Sequence, residues 1–318
     1  MKLNRFAAYA WGVLGINLFV ILWGAFVRAT GSGAGCGSHW PSCNGEVIPW
    51  SAQTETLIEF THRVTSGLAL LLVIGMVIWA IRAYPTGHRV RLGANLSLAF
   101  IIIESLLGAG LVLFELVGEN DSTARAVAMA IHLINTFLLL SVITLTAWWA
   151  SGGAMIRWRG PGWVGWAFWL GFAAMLVLGA SGGVTALGDT LYPATSLAEG
   201  LQEKFSPTAH FLVRLRLYHP ILAISTGVYL IALSVLYNAV YPGLTARRMG
   251  IVLVGLFLVQ LLVGAFNVLL LAPIWMQLVH LFISDLILIA YVVFMAFAFA
   301  QPMLKREAQA QPLPQVAR

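Results

Sequence analysis

Eight apolar runs, each long enough to cross a bilayer, occupy most of this chain: near residues 10–30, 60–82, 93–116, 125–149, 162–185, 213–237, 248–271 and 275–299. A spanning helix needs about 20 mostly apolar residues, because the hydrocarbon core is ~30 Å thick and a helix rises ~1.5 Å per residue. No water is available there to satisfy free backbone groups, so runs of this length must form helices. Charged residues make up 9% of the 318 residues, against roughly 25% in soluble domains. Nothing is left over for a separate soluble domain, and the expected fold class is an all-α integral membrane protein with eight transmembrane helices.

The short connections set the expected orientation, because cytoplasmic loops hold the excess of Lys and Arg. One side receives Lys2, Arg5, Arg82, Arg89, Arg91, Arg157, Arg159, Arg247, Arg248, Lys305 and Arg306. The other receives mainly acids, among them Glu46, Glu55, Glu59, Glu119, Asp121, Asp189, Glu199 and Glu203. Both termini are therefore expected on the cytoplasmic side. The net charge of +6 is a topology signal and gives no reason to expect nucleic acid; the lipid bilayer is the expected surrounding. The basic, then apolar, N-terminus lacks a convincing cleavage site and reads as the first span. With no Arg/Ser-rich transit segment ahead of it, a prokaryotic plasma membrane is the expected location. The tail "QAQPLPQVAR" reads as disordered.

Cys36 and Cys43 both fall in the first outer loop, "GSGAGCGSHWPSCNGEVIPW". Outside the cytoplasm a disulfide can persist, and it is the favoured reading over two free thiols. A metal site completed by His39 is the third reading, although two Cys and one His fall short of the usual four ligands.

The second half of the chain echoes the first. "ESLLGAGLVLFEL" parallels "VQLLVGAFNVLLL", "MAIHLINTFLLL" parallels "MQLVHLFISDLIL", and "EFTHRVTSGLALLL" parallels "RLYHPILAISTGVYL". Two pseudo-symmetric four-helix bundles follow, residues 1–150 and 151–318. Four spans return the chain to its starting side, so the repeat is of the parallel type.

Four of the seven histidines, His62, His132, His219 and His280, occupy matching places near the outer ends of the even-numbered spans. A single intramembrane histidine is often no more than an interhelical hydrogen-bonding group. Four in duplicated register point to a bound group, since ionisable side chains at depth are costly and face the bundle interior. Two histidines are too few to close a zinc site, but they suffice for haem, whose porphyrin leaves two axial positions. One haem per unit is expected, held by His62 with His132 and by His219 with His280. The small residues of "SLLGAG" and "LLVGAFN" would let a flat ring approach, although they serve ordinary helix packing equally well. Arg28, Arg63, Arg125, Arg214 and Arg216 run against the charge bias of the outer side. Some of these five are expected to bind haem propionates through the guanidinium fork, the alternative being snorkelling to lipid phosphate. His39, His88 and His210 lie in loops or at a helix entrance and read as surface residues.

The two units differ at one register position. Glu59 lies three residues before His62, whereas Arg216 lies three before His219, and residues three apart share a helix face. A carboxylate beside a haem can hold or relay protons, so the first unit is the candidate reaction centre and Glu59 its candidate catalytic group. The alternative for Glu59 is an i,i+4 ion pair with Arg63. Pro220, next to His219, predicts a kink in the sixth span.

The motifs "GAFVRATGSGAGCGSHWPSCNG", "IEFTHRVTSG", "MAIHLINT", "LYHPILA" and "QLVHLFISD" resemble those of the haem A synthase family across nearly the whole chain. The resemblance implies an oxidoreductase of haem biosynthesis that converts the C8 methyl of haem O, through an alcohol, to the formyl group of haem A for cytochrome oxidase. It also implies that His62 and His132 hold the substrate or product haem, that His219 and His280 hold haem b, and that Glu59 matters for activity. It further implies a Cys36–Cys43 disulfide that assists haem transfer or electron input. A second cysteine pair, present in some relatives between spans 5 and 6, is absent from "TALGDTLYPATSLAEGLQEKFSPTAH". Implied partners are haem O synthase, cytochrome oxidase assembly factors and a quinol or other electron partner. The residues without the resemblance also fit a two-haem membrane cytochrome b-type electron carrier, or a haem chaperone or exporter.

Overall fold

The computed structural model describes residues 4–50, 53–156 and 162–310, and among these side chains are described up to residue 300. Lys2, Arg157, Arg159 and the tail from residue 311 lie outside the described residues, as do the side chains of Lys305 and Arg306. The long helices are α1 (Arg5–Ala29), α2 (Thr54–Ala83), α3 (Arg89–Leu113), α4 (Thr123–Ala150) and α5 (Trp163–Leu191). Short helices α6 (Leu197–Glu203) and α7 (Phe211–Leu215) lead into α8 (Tyr218–Val240), α9 (Leu244–Leu269) and α10 (Ile274–Ala310). Among the described residues eight segments are long and apolar enough to span a membrane, α7 and α8 together supplying one of them. The fold is all-helical, with the number of spans that the apolar runs predict.

Helix ends follow local chemistry. The side chains of Asn4 and Ser122 accept hydrogen bonds from the backbone N–H groups of Ala7 and Arg125, which meets part of the donor deficit at a helix start. His88 and His210 cap α3 and α7 in the same manner, accepting from Val90 and Leu212. The predicted kink at Pro220 takes the form of a two-residue break immediately before α8. Proline clashes with the carbonyl four residues earlier, here Arg216, and the helix is interrupted at Arg216 and Leu217.

Packing separates inner from outer helices. Half of the spanning window of α4 and of α10 is buried, against 17–33% for the other six. α4 packs on α1, α3, α5 and α10, and α10 on α1, α4, α5 and α9. Contacts between the two sequence halves therefore run through α1, α4, α5 and α10. Among the described residues the main apolar core draws on residues from Phe6 to Ala300, and a smaller cluster of Ala126, Leu187 and Leu212 lies apart from it. At the opposite end of the helices from the chain start, the α1–α2, α3–α4, α5–α8 and α9–α10 connections surround the candidate site.

Candidate functional site

α2, α4, α8 and α10 each place a histidine within about two and a half turns of the end where they enter. His62, His132, His219 and His280 all line one cavity of about 1420 Å³, which is shared by both halves of the chain. Glycines seat three of the four rings. A Cβ on Gly24 of α1 would lie 2.9 Å from His62 Cε1, one on Gly182 of α5 would lie 3.0 Å from His219 Cε1, and one on Gly264 of α9 would lie 3.0 Å from His280 Cε1. Gly264 belongs to the small-residue run read from the sequence; Gly24 and Gly182 do not. They become legible only once helix neighbours are known.

The donor set suits haem better than a bare ion. Among the described residues no group of three or more His, Cys, Asp or Glu side chains is arranged to hold a metal. The ring centres of His219 and His280 are 6.3 Å apart. Two imidazoles on opposite sides of one metal, at ~2.0–2.1 Å per nitrogen, would have ring centres about 6 to 6.5 Å apart. The Nδ1 atoms of His62, His132 and His280 are buried without hydrogen-bond partners, whereas His219 Nδ1 lies 2.9 Å from Ser181 Oγ.

Glu59 is buried on the cavity wall and serves two neighbours. Its Oε1 accepts from Arg63 Nη2 at 2.5 Å and from Nε at 3.1 Å, and its Oε2 accepts from the Cys36 N–H at 2.8 Å. The i,i+4 ion pair, the alternative for this residue, is thus present, and the same carboxylate also holds the loop. Arg63 Nη1 donates to the carbonyls of His39 and Ser42 at 2.7 and 2.6 Å. Glu59 and Arg63 together fasten residues 36–42 over α2. Cys36 and Cys43 form a disulfide, which removes the thiolates that a metal site with the exposed His39 would require. Gly35 permits the close approach of this loop, since a Cβ there would meet the Glu55 carbonyl at 2.6 Å.

In the second half the charge is reversed and again paired. Arg216 is buried, with its Nε 2.9 Å from Asp189 Oδ1 and its Nη2 donating to the carbonyls of Gly188 and Tyr192 at 2.6 Å each. Arg28, from the first half, reaches across to the second. It donates to the Ala186 carbonyl and Thr190 Oγ1 at 2.6 Å and to Gln277 Oε1 at 2.8 Å. Arg125 binds the carbonyls of Gly118 and Asn120 at 2.6 Å. Arg28, Arg63, Arg125 and Arg216 line the cavity, whereas Arg214 is exposed and outside its lining.

Two loops meet at the rim. Tyr192 donates to Asp121 Oδ2 at 2.5 Å and stacks on His210. The Tyr192 hydroxyl holds the Asp121 carboxyl below its usual range, and the same hydrogen bond raises the tyrosine. Lys204, which also lines the cavity, is pushed down by partial burial.

Glu104 of α3 was missed by the motif reading. Both of its oxygens accept hydrogen bonds, one from Thr136 Oγ1 and the other from Asn135 Nδ2 at 2.5 Å, and Oε1 lies 3.6 Å from His132 Nδ1. The signal was available: aligning "ESLLGAG" with "QLLVGAF" sets Glu104 against Gln260, and an acid inside an apolar run is costly enough to need a reason.

Comparison with known proteins supports the same family. The family model described as "Cytochrome oxidase assembly protein" (COX15-CtaA) matches residues 7–292. A Thermus thermophilus protein named protoheme IX farnesyltransferase is 53% identical over 307 residues, covering 96% of this chain and 50% of that protein. Proteins named heme A synthase from Exiguobacterium sibiricum and Shouchella clausii are 34% and 42% identical over 151 and 130 residues. These matches cover 48% and 41% of this chain and 48% and 40% of the relatives. The chain thus spans about half the length, or less, of the curated relatives it matches. With a family model matched over nearly all of its spans, this chain belongs to the COX15-CtaA family of cytochrome oxidase assembly proteins.

Proposed function

We propose that this chain is a haem A synthase, oxidising the C8 methyl of haem O to a formyl group. The observation that carries the proposal is the pair of histidine sets on one shared cavity, with a buried carboxylate, Glu59, beside only one of them. The relatives named heme A synthase support it. In this reading residues 1–150 form the unit that takes the substrate haem on His62 and His132. Residues 151–318 hold haem b on His219 and His280. Haem iron, when bound, supplies the redox chemistry that no side chain can supply.

The chain's own residues then do the rest. Glu59 holds or accepts a proton beside the substrate methyl, and Arg63 keeps that carboxylate oriented through its fork. The disulfide-closed loop, fastened by the same two side chains, keeps water from the first site. Arg28, Arg125 and Arg216 serve as propionate partners in this reading, which their lining of the cavity supports, and each is already held by carbonyl or carboxylate partners. In this reading both termini lie in the cytoplasm of a prokaryotic cell with the cavity toward the outer face, which the excess of Lys and Arg in the connections on that side supports. The Thermus relative is about twice as long and is named for farnesyl transfer to protohaem. A neighbouring farnesyl-transferring enzyme is therefore the expected source of haem O.

The test is extraction of the pigments bound after expression with a haem O supply. Haem A or its alcohol precursor is expected; haem b alone would favour the electron-carrier or chaperone readings. Glu59→Ala is expected to keep bound haem and to lose the formyl product. Undiminished haem A from that variant would exclude Glu59 from the chemistry.

A further inference from the structure

Glu104 sits in the middle of an apolar helix, where a carboxylate persists only if something compensates it. Two donors from α4 do so. Asn135 Nδ2 donates to Oε2 at 2.5 Å as well as to the Phe100 carbonyl at 3.0 Å, and Thr136 Oγ1 donates to Oε1. These two residues follow His132 by three and four positions, so they lie on its helix face. The carboxylate is thereby anchored one turn from the imidazole, with Oε1 3.6 Å from Nδ1. That Nδ1 is buried and has no hydrogen-bond partner. The separation is longer than the ~2.7–3.2 Å of a hydrogen bond, but histidine χ2 is a broad torsion, and a small ring rotation closes it.

The second half is built to the same register with one difference. Gln260 replaces Glu104; its Nε2 donates to the His280 carbonyl at 2.9 Å, and its Oε1 is buried without a partner. His280 Nδ1 is likewise without one. Each of these two histidines therefore has a side-chain oxygen at the same register position on the preceding helix. In the first half it belongs to a charged carboxylate, and in the second to a neutral carboxamide.

Metal-bound histidines commonly donate their distal N–H to such an oxygen, which fixes the tautomer and raises the basicity of the ligand. We infer that Glu104 is a positioning residue for the first haem, accepting the Nδ1–H of His132 so that Nε2 faces the iron and the ligand becomes more electron-donating than His280. This rests on the two-haem reading above. A stronger donor stabilises the ferric state, so Glu104 should lower the potential of the haem on His62 and His132 relative to the same haem without that contact.

The test is a redox titration of the full-length protein carrying both haems, followed by visible absorption and by low-spin ferric electron paramagnetic resonance. His132→Ala identifies which wave belongs to the first site. Glu104→Gln, which installs the second half's residue, is expected to move that wave upward and shift its resonance, leaving the other wave in place. Glu104→Asp should recover part of the shift. Gln260→Glu is the converse and is expected to lower the other wave, so it tests the inference even if Glu104→Gln fails to fold. A role confined to tying α3 to α4 would change thermal stability without moving the potential. Unmoved waves in Glu104→Gln with haem retained, or in Gln260→Glu, would overturn the inference. Two unchanged waves in His132→Ala would instead overturn the haem assignment on which it rests.

Discussion

Gly24 and Glu59 contribute to the site in opposite ways, one by lacking a side chain and the other by having its charge fully engaged. A side chain on Gly24 would collide with the His62 ring, and close-packed interiors yield little to added atoms. Gly24→Val is therefore expected to expel haem from the first site and leave the second loaded, as measured by haem content per chain. Gly12→Val, on the same helix but with open space around its Cβ, should bind haem normally. Arg216 and Asp189 make a second case. Removing one partner of a buried ion pair leaves an uncompensated charge and costs about 3–5 kcal/mol. Asp189 retains 21% side-chain exposure, so water screens part of its charge and Arg216→Met should cost about 3 kcal/mol, the low end of that range. Thermal melting in detergent measures this, and Arg216→Met with Asp189→Leu should regain most of it. His62 and Glu59 were visible in the linear motif because their spacing lies on one helix. Gly24, Gly182 and the partners of Arg28 were not, because their roles depend on which helix lies alongside.

The loop closed by Cys36 and Cys43 is the element through which Glu59 is coupled to the surface. Its backbone is fastened to α2 by Glu59 and Arg63 and cross-linked by the disulfide. Closing a loop of this length stabilises by roughly 2 kcal/mol through the unfolded chain. Changing both Cys36 and Cys43 to serine is expected to speed hydrogen exchange across residues 31–50 and leave exchange in α4 and α10 unaltered. The spans themselves were legible in number and place, with ends off by up to six residues, since each is bounded by local signals: polar caps, Gly and Pro, and a fall in apolar content. The break between α7 and α8 was anticipated only as a kink. Proline marks where a helix is weakened, but whether the chain bends or parts depends on what receives the freed groups. Here the Arg216 and Leu217 N–H groups turn back to the Val213 and Arg214 carbonyls at 3.2 Å each.

For the assembled bundle, the charge bias predicts that the loop holding residues 36–43 and both chain ends lie on opposite sides of the membrane. A membrane-impermeant thiol reagent applied to intact cells should label a cysteine placed at exposed Ser38 in a Cys36→Ser/Cys43→Ser background, and should not label one placed at residue 87. Labelling at residue 87 and not at 38 would reverse the topology. Span number, helical class and the duplicated histidine register all follow from the amino-acid order, because the bilayer's thickness and its intolerance of free backbone groups act on each segment separately. Apart from the i,i+4 pair of Glu59 and Arg63, the pairing of charges does not follow from it. Arg28 satisfies groups on α5 and α10, Glu59 binds a loop backbone, and Glu104 finds donors on α4. Each of these partners is brought near only when the helices pack. A buried charge takes whichever donor or acceptor desolvation leaves within reach, and that choice is made by neighbours distant in the chain.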